Sequence, residues 1–210
     1  MTILAFEFSS AQRNVALARH GTVLAEAVES GGYRVTNAFS LTEKVLAEAK
    51  VSREEIEVIA LGIGPGSYTG IRAAIALAQG WQLARAIKLL GVSSAECLAA
   101  QAQAAKVFGR VNVVIDAQRG EFYLSGWELA GSERKEILPL KIVPATEIEA
   151  RKAAGEICVG PEAERVLFPS AAMVATLASG RMDFIAGEKL EPIYLRETTF
   201  VKAAPCARIH

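Results

Sequence analysis

The segment Gly64–Gly70, with the sequence GPGSYTG, has the residue types of an anion-binding loop. It joins a strand-like apolar run to an alanine-rich helical segment, so its backbone N–H groups could approach an anion at a helix N-terminus. The spacing matches neither a P-loop nor a dinucleotide-binding G-x-G-x-x-G motif. The alternative is a tight strand-to-helix crossover in which the glycines only allow close packing. The candidate binding residues here are Gly64, Gly66, Ser67, Thr69, Gly70 and Arg72.

A second group of candidates lies where apolar runs end in an acidic residue. Glu7, followed by Ser9 and Ser10, ends the first run, and Asp116 ends a run in the second half of the chain. In two-lobed phosphotransferases such turns face each other and hold nucleotide phosphates and Mg²⁺. The first turn has no glycine, and Glu7 stands nearly alone as an oxygen ligand, so we expect no metal site and no intrinsic cofactor. Hairpin ends satisfied by local hydrogen bonds are the alternative.

The histidines and cysteines offer little for catalysis. The chain has two histidines, His20 and His210, so it lacks a metal-binding histidine pair and a promising base for a nucleophilic triad. Its three cysteines, Cys97, Cys158 and Cys206, are far apart in sequence. We therefore assign no catalytic residue and expect inert thiols in a reducing compartment.

Composition and charge narrow the class of protein. The 210 residues are 51% hydrophobic, with 23 Lys plus Arg and 23 Asp plus Glu. This composition is typical of a globular protein, and the charge balance argues against a broad nucleic-acid-binding face. The sequence shows neither a leader pattern nor an apolar run long enough for a membrane helix, so we expect a cytoplasmic protein.

The order of predicted elements repeats along the chain. Three strands within residues 2–28 are followed by helical and strand segments, and three further strands occupy residues 111–143. The tripeptide Ala-Gln-Arg occurs at 11–13 and again at 117–119. This repeat predicts a duplicated α/β unit, with an N-terminal lobe at 1–106 and a smaller C-terminal lobe at 107–210. The C-terminal segment could pack back on the first lobe.

The helix predicted from Gly70 to about Ala86 carries small residues at Ala73, Ala76 and Gly80. Small side chains allow another helix to approach closely, and a helix that is apolar nearly all round is buried on more than one side. One of those sides could be a partner interface or the core of the chain itself, and the sequence leaves both open.

Several motifs, in order and spacing, resemble the TsaB (YeaZ) family over essentially the whole chain. The motifs are Ile3-Leu4-Ala5 with Glu7 and Ser9, Gly64–Arg72 (GPGSYTGIR), Val92-Ser93-Ser94, Asp116–Tyr123 (DAQRGEFY) and Pro192–Arg196 (PIYLR). The resemblance implies a duplicated ribonuclease-H-like fold of the actin-like, hsp70-like and sugar-kinase-like (ASKHA) class. It also implies a non-catalytic scaffold subunit in the formation of N6-threonylcarbamoyladenosine, next to the anticodon of tRNAs that read codons beginning with adenine.

The resemblance further implies partners. These are a TsaD-like catalytic paralogue and a TsaE-like ATPase, with a homodimer when the chain is alone, tRNA contact only through the complex, and no membrane. ATP or ADP could bind at a partner interface. The implied helix bundle would use the helices at about 38–50 and 70–85, and the interface residues are Leu41, Val45, Leu46, Ala73, Ala76 and Gly80.

The chain departs from the family pattern in two places. Glu7 stands where Asp-Thr-Ser is common, and the Arg-x-His-Ser element ahead of the first helix appears as residues 34–40, RVTNAFS. Two alternatives to the scaffold stay open: a metallopeptidase of the glycoprotease type and a small nucleotide-binding ASKHA protein. The scarcity of histidine argues against the first, and the short chain with its glycine-free first turn argues against the second.

Overall fold

The computed structural model describes residues 1–30 and 38–196. Residues 31–37 and 197–210, which include most of the altered RVTNAFS element, Cys206 and His210, lie outside the described part. The first sheet has the strand order β3-β2-β1-β4-β5, with β1–β3 antiparallel and β4 and β5 parallel to β1. Its strands are β1 (Thr2–Glu7), β2 (Gln12–Arg19), β3 (Thr22–Ser30), β4 (Val58–Gly62) and β5 (Lys88–Val92).

The second sheet repeats this topology, in the order β8-β7-β6-β9-β10 with the same parallel and antiparallel pairs. Its strands are β6 (Gly109–Asp116), β7 (Glu121–Ala130), β8 (Glu133–Pro144), β9 (Ile157–Gly160) and β10 (Arg165–Val166). The predicted duplication of an α/β unit is therefore confirmed.

The repeated tripeptide does not mark equivalent positions in the two units. Gln12 and Arg13 begin β2, whereas Gln118 and Arg119 lie in the turn between β6 and β7, with φ of 65° and 61°. The tripeptide match is therefore a chance one, and the duplication rests on the order and pairing of the strands.

Five helices cover the two sheets in the described part of the chain: α1 (Ala38–Ala49), α2 (Tyr68–Ala84), α3 (Ser94–Ala104), α4 (Ala145–Ala153) and α5 (Ala171–Ala178). Helix α2 begins two residues before the predicted start, because the Ser67 side chain accepts a hydrogen bond from the Gly70 N–H and caps it. No described helix is long and apolar enough to cross a lipid bilayer.

Helices α3 and α5 are exchanged between the sheets. Ala95, Leu98 and Ala99 of α3 pack in one core with Val113 of the second sheet, and α5 packs through Val174 and its alanines on the first. The first lobe is therefore the first sheet with α1, α2 and α5, and the second lobe is the second sheet with α3 and α4. The predicted boundary at residue 106 needs correction, since α3 follows β5 in sequence but buries its apolar residues against the other sheet.

The C-terminal segment continues along the first lobe after α5. Ile185 forms a β-bridge with Leu89 of the edge strand β5, and the Ile193 N–H donates to the Ile63 carbonyl at 2.8 Å. The bridge at Leu89 occupies one position on the backbone edge of β5, an edge that would otherwise be open there to pairing with another chain.

Gly160, at the end of β9, gives a test of how closely the strands of the second sheet approach. Its φ is +146°, and a Cβ there would lie 1.9 Å from the Val114 carbonyl oxygen. We expect Gly160→Ala to lower the free energy of unfolding by about 3 kcal/mol, since strain and overlap with fixed backbone act together. Urea denaturation followed by tryptophan fluorescence measures this loss.

The matched control is Gly155→Ala. Gly155 also has a positive φ, +74°, but a Cβ there meets nothing within 4 Å. We expect Gly155→Ala to lower the free energy of unfolding by roughly 1 kcal/mol, because only the cost of holding an alanine at a positive φ applies. Equal losses for the two variants would show that the approach of Gly160 to β6 is unimportant for stability.

Candidate functional site

A cleft of about 1350 Å³ lies between the two lobes. Its lining includes five of the predicted binding residues, Ser9, Ser10, Gly66, Ser67 and Thr69 from the first lobe, and Asp116 from the second. It excludes four others, Glu7, Gly64, Gly70 and Arg72. The structure thus brings together only part of the predicted set.

The glycine loop packs tightly against the first turn. A Cβ on Gly66 would lie 2.2 Å from the Ser9 carbonyl oxygen, and one on Gly70 would lie 2.0 Å from the Phe8 carbonyl oxygen. The Ser67 N–H donates to the Ser9 carbonyl at 2.6 Å, and the Gly70 N–H donates to the Ser67 hydroxyl. Two N–H groups that could face an anion are therefore used inside the chain, which favours the packing interpretation of the glycines.

Glu7 is not a cleft residue. Its carboxylate is fully buried, accepts a hydrogen bond from the Ser9 N–H at 2.6 Å and another from the Ser94 hydroxyl at 3.1 Å. It fits there because Gly62 has no side chain, since a Cβ at that position would lie 1.8 Å from Glu7 Oε2. Glu7 therefore does not line the cleft as its candidacy for a binding site requires, because its side chain folds back between the first sheet and the start of α3.

Burial raises the pKa of Glu7 above its ordinary value, and the hydrogen bonds from Ser9 and Ser94 offset part of that rise. A carboxyl without a cationic partner in its site costs free energy when it ionises inside the protein. The buried site therefore favours the protonated form of the Glu7 carboxyl more than water does.

Asp116 does line the cleft, in a turn that holds its carboxylate. Its two oxygens accept hydrogen bonds from the Gln118 N–H at 2.7 Å and the Gln118 side-chain amide at 2.6 Å. Beside it, burial raises the pKa of Glu162, and the charge of Asp116 adds to that rise. Glu7 and Asp116 do not face each other across the cleft, since only Asp116 lines it, and both carboxylates accept local hydrogen bonds as in the alternative of satisfied hairpin ends.

The sequence analysis missed the cationic and aromatic residues of the cleft. Arg13, Arg119, Arg196, Tyr68 and Tyr194 all line it. Arg196 spans the two lobes, because its guanidinium donates to the Ala117 carbonyl at 3.0 Å and to the Glu121 carboxylate. A signal was available for four of them, because Tyr68 lies in GPGSYTGIR, Arg119 in DAQRGEFY, and Tyr194 and Arg196 in PIYLR. Arg13 lies in none of these motifs.

Arg72 lies outside the cleft, on the exposed surface of α2. Its guanidinium donates to the Tyr68 hydroxyl at 2.8 Å and lies 5.1 Å from the centre of that ring. Arg72 therefore does not add its charge to this cleft, contrary to the position expected for a candidate binding residue. Its side chain extends along the helix and contacts Tyr68, one turn earlier.

The described residues show no cluster of three or more His, Cys, Asp or Glu side chains with the geometry to hold a metal ion. Cys97 and Cys158 are free and buried. Burial raises the pKa of the Cys97 thiol well above its ordinary value, with the charge of Glu7 as a further cause. A thiol in that environment is a poor nucleophile.

The outer face of α2 combines small exposed residues with one large apolar residue. Ala73, Ala76 and Gly80 are exposed, and Leu83, one turn further on, is 90% exposed. Spacings of three and four residues place all four on one side of the helix. Sequence analysis missed Leu83, although the same spacing could have found it.

The face assigned to α1 needs a correction. Val45 and Leu46 are buried in the core of the first lobe, and Leu41 packs against that core from its edge. Their apolar spacing marks the side of α1 that covers β2 and β3, so they are not available to a partner helix. Phe39, at the start of α1 and 66% exposed, is the large apolar residue that the helix presents to solvent.

The buried Glu7 carboxyl predicts a pH dependence of stability. Because the folded state raises its pKa above 4.5, its favourable contribution is complete at low pH and is lost as pH rises through the raised pKa. We expect Glu7→Gln, which keeps an acceptor for the Ser9 N–H, to be more stable than the wild type at pH 8. The difference should shrink towards pH 4 in urea denaturation.

The matched control, Glu147→Gln, should show the opposite sign. Hydrogen bonds from Arg151 and Lys141 lower the pKa of Glu147, so its contribution is present above pH 4.5 and is lost as pH falls. The Glu147 variant should be less stable than the wild type at pH 8. A Glu7→Gln variant that loses stability at pH 8 would show that the buried carboxylate is favourable.

Comparisons with known proteins agree with this architecture. The sequence model of the family described as TsaD, tRNA N6-adenosine threonylcarbamoyltransferase, matches residues 33–190, three quarters of the chain. The tRNA threonylcarbamoyladenosine biosynthesis protein TsaB of Escherichia coli (strain K12) is 28% identical, over 98% of this chain and 99% of that protein. The protein of the same name from Bacillus subtilis (strain 168) is 30% identical, over 66% of this chain and 60% of that protein.

Two solved structures from Pseudomonas aeruginosa share the fold. YeaZ has a TM-score of 0.77 and 25% identity, over 92% of this chain and 99% of that chain. A protein described as uncharacterized, with similarity to peptidase YEAZ, has a TM-score of 0.80 and 27% identity, over 93% of this chain and 99% of that chain. Together with the duplicated sheets, these matches confirm the predicted fold class. The chain belongs to the family that the TsaD model describes and, within it, to the TsaB (YeaZ) proteins, whose length and fold it matches.

Proposed function

We propose that this chain is a non-catalytic subunit in the formation of N6-threonylcarbamoyladenosine in tRNA, where it supports a TsaD-like catalytic paralogue. The full-length match to a protein named for tRNA threonylcarbamoyladenosine biosynthesis supports the process. The observation that carries the scaffold role is the outer face of α2, on which Ala73, Ala76, Gly80 and Leu83 lie uncovered.

The α2 face has the chemistry of a close helix–helix contact. Small side chains reduce the distance at which two helices pack, and an exposed leucine at one end supplies an apolar anchor. The TsaD-like paralogue is the partner that we propose for this face, with a second copy of the chain taking its place when the paralogue is absent. A TsaE-like ATPase completes the assembly.

The cleft supports a non-catalytic role. Glu7, the acid that ends β1, is turned into the protein and away from the cleft, and two N–H groups of the glycine loop are already bonded. The Glu7 carboxyl could then bind a metal ion, and these N–H groups could bind a phosphate, only after the local structure had rearranged. We assign no intrinsic cofactor to the chain, and place any ATP or ADP site at a partner interface.

The balance of 23 basic and 23 acidic residues fits contact with tRNA through the complex rather than through a basic face of this chain. We assign the protein to the cytoplasm, where tRNA is modified.

Nucleotide binding by the isolated chain should be weak. We expect isothermal titration calorimetry with MgATP to give a Kd weaker than roughly 1 mM, because the Ser67 and Gly70 N–H groups are bonded inside the chain and Glu7 is turned away from the cleft. Adding the purified partners to the same titration is the control for active nucleotide. Micromolar binding to the chain alone would contradict the prediction and favour a nucleotide-binding protein.

The α2 face and the proposed function can be tested with one substitution. Ala76→Glu places a charge in the middle of the proposed contact, where an unpaired buried charge costs about 3 kcal/mol or more. We expect the variant to stay folded, to lose self-association in sedimentation velocity, and to lose binding to the TsaD-like paralogue. In a reconstitution with both partners and tRNA, the wild-type chain should support threonylcarbamoyladenosine formation, measured by mass spectrometry of nucleosides, and the variant should not.

The matched control is Ala153→Glu, the same change at the exposed last residue of α4 in the second lobe. It should leave association and reconstitution unchanged. If Ala76→Glu does not fold, Leu83→Ser tests the same face, since a side chain that is 90% exposed contributes little to the core. Wild-type association by folded variants would move the interface elsewhere, and modification that proceeds equally without the chain would contradict the proposed function.

A further inference from the structure

The backbone from Phe168 to Ala172 carries the chain from the second lobe back to the first. Strand β10 ends at Val166, and α5 begins at Ala171 on the other sheet. In the described part of the chain the backbone passes between the lobes at two places. One is this segment, and the other is the entry to α3 after Val92. A change in the angle between the lobes would have to bend this crossing.

A side chain from the second lobe holds the first half of the crossing. Gln101 of α3 donates from its amide nitrogen to the Phe168 carbonyl at 3.0 Å and accepts from the Ser170 N–H at 3.2 Å. One amide group thus satisfies two backbone groups that lie two residues apart. This is a two-point contact, so it fixes the direction of the peptide as well as its position.

A side chain from the first lobe holds the second half. Asn14 of β2, only 1% exposed, accepts from the Ala171 N–H at 2.5 Å, and its amide nitrogen lies 3.5 Å from the Pro169 carbonyl oxygen. The neighbouring Ala172 N–H donates to the Glu26 carboxylate of β3 at 3.2 Å. The contacts from the two lobes therefore interleave along the same five residues.

The remaining carbonyl at Ser170 is also bonded, since it accepts from the Val174 N–H at 3.0 Å and from the Cys97 thiol at 3.5 Å. Rotating the backbone here would break hydrogen bonds to both lobes at once. Each buried polar group left without a partner costs about 1–3 kcal/mol, which is more than the bond itself contributes. The crossing thus has the opposite character to a hinge, which needs a few dihedral angles that are free to change.

We infer that Phe168–Ala172 is an inter-lobe lock, in which Gln101 and Asn14 are positioning residues that fix the separation of the two lobes across the cleft. The cleft of this chain has a set width and does not open and close around a ligand. The inference rests on the hydrogen bonds of the crossing and stands independently of the proposed function.

The test compares two glutamines of the same helix. Gln101→Leu removes the second-lobe contacts of the crossing, whereas Gln103→Leu removes an amide that bonds to the Gly131 and Glu133 carbonyls inside the second lobe. Spin labels at Thr69→Cys and Arg119→Cys, one on each side of the cleft, are introduced with Cys206→Ser in the full chain. Double electron–electron resonance then gives the distribution of distances across the cleft.

We expect one narrow distribution for the wild type and for Gln103→Leu, and a broader one with a second maximum for Gln101→Leu. Amide exchange at Ser170 and Ala171 should also become roughly tenfold faster in Gln101→Leu. Asn14→Ala should have the same two effects from the first-lobe side. A thermal melt of each variant separates the change in lobe angle from general loss of stability.

Three results would overturn the lock. They are a folded Gln101→Leu variant with the wild-type distance distribution, equal broadening by Gln101→Leu and Gln103→Leu, and a broad distribution in the wild type itself. If Gln101→Leu does not fold, Gln101→Met, which is unbranched and of similar length, takes its place in the same comparison. The comparison of the Gln101 variant with Gln103→Leu tests the lock even if Asn14→Ala does not fold.

Discussion

The exchange of α3 and α5 between the two sheets is the constraint on which the rest of the structure depends. Each sheet has apolar residues on both faces, because its central strands are buried on both sides. The two helices contact each other, and each packs on a different sheet, so they form a shared layer between the lobes. The small residues of both helices make this layer thin enough to be packed from both sides. Neither lobe can complete its core without a helix that the other half of the sequence supplies.

Glu7 lies where the first sheet meets that shared layer. Its carboxyl links the end of β1 to Ser94, the first residue of α3. The missing side chain of Gly62 provides the space. In a phosphotransferase the acid at this position would serve the cleft, whereas here it joins the inner end of a strand to the helix that crosses to the second lobe.

The features that sequence analysis predicted correctly are those that local pattern determines. The apolar run of β1 and the helical spacing of α1 follow from which residues are apolar, and the duplicated topology follows from the order of elements. The assignment of Val45 and Leu46 to a partner failed because spacing shows that a helix has an apolar face without showing what covers it. The boundary at residue 106 failed for the same reason, since α3 is buried on most of its sides and its position next to β5 in the sequence did not show which sheet it packs on. The cleft was predicted in part: the hydroxyls of Ser9 and Ser67 reach it, but the backfolding of Glu7 depends on Gly62, which is 55 residues away in the sequence.

The outer face of α2 is uncovered because it lies on the far side of the first sheet from the shared layer. Its composition lets it stay exposed at low cost. Alanine and glycine bury little apolar area, so a stripe of them adds little to the tendency of the free chain to aggregate, whereas a stripe of leucines would favour any apolar surface. The same residues let a complementary helix come close enough for extensive backbone and side-chain contact. A rigid protein binds a partner helix more tightly through such a face, because less conformational entropy is lost when the residues that carry the face are already ordered before binding. In the proposed scaffold, the inferred fixed angle between the lobes and the exposed small-residue face serve one purpose, which is to present a surface to a partner helix.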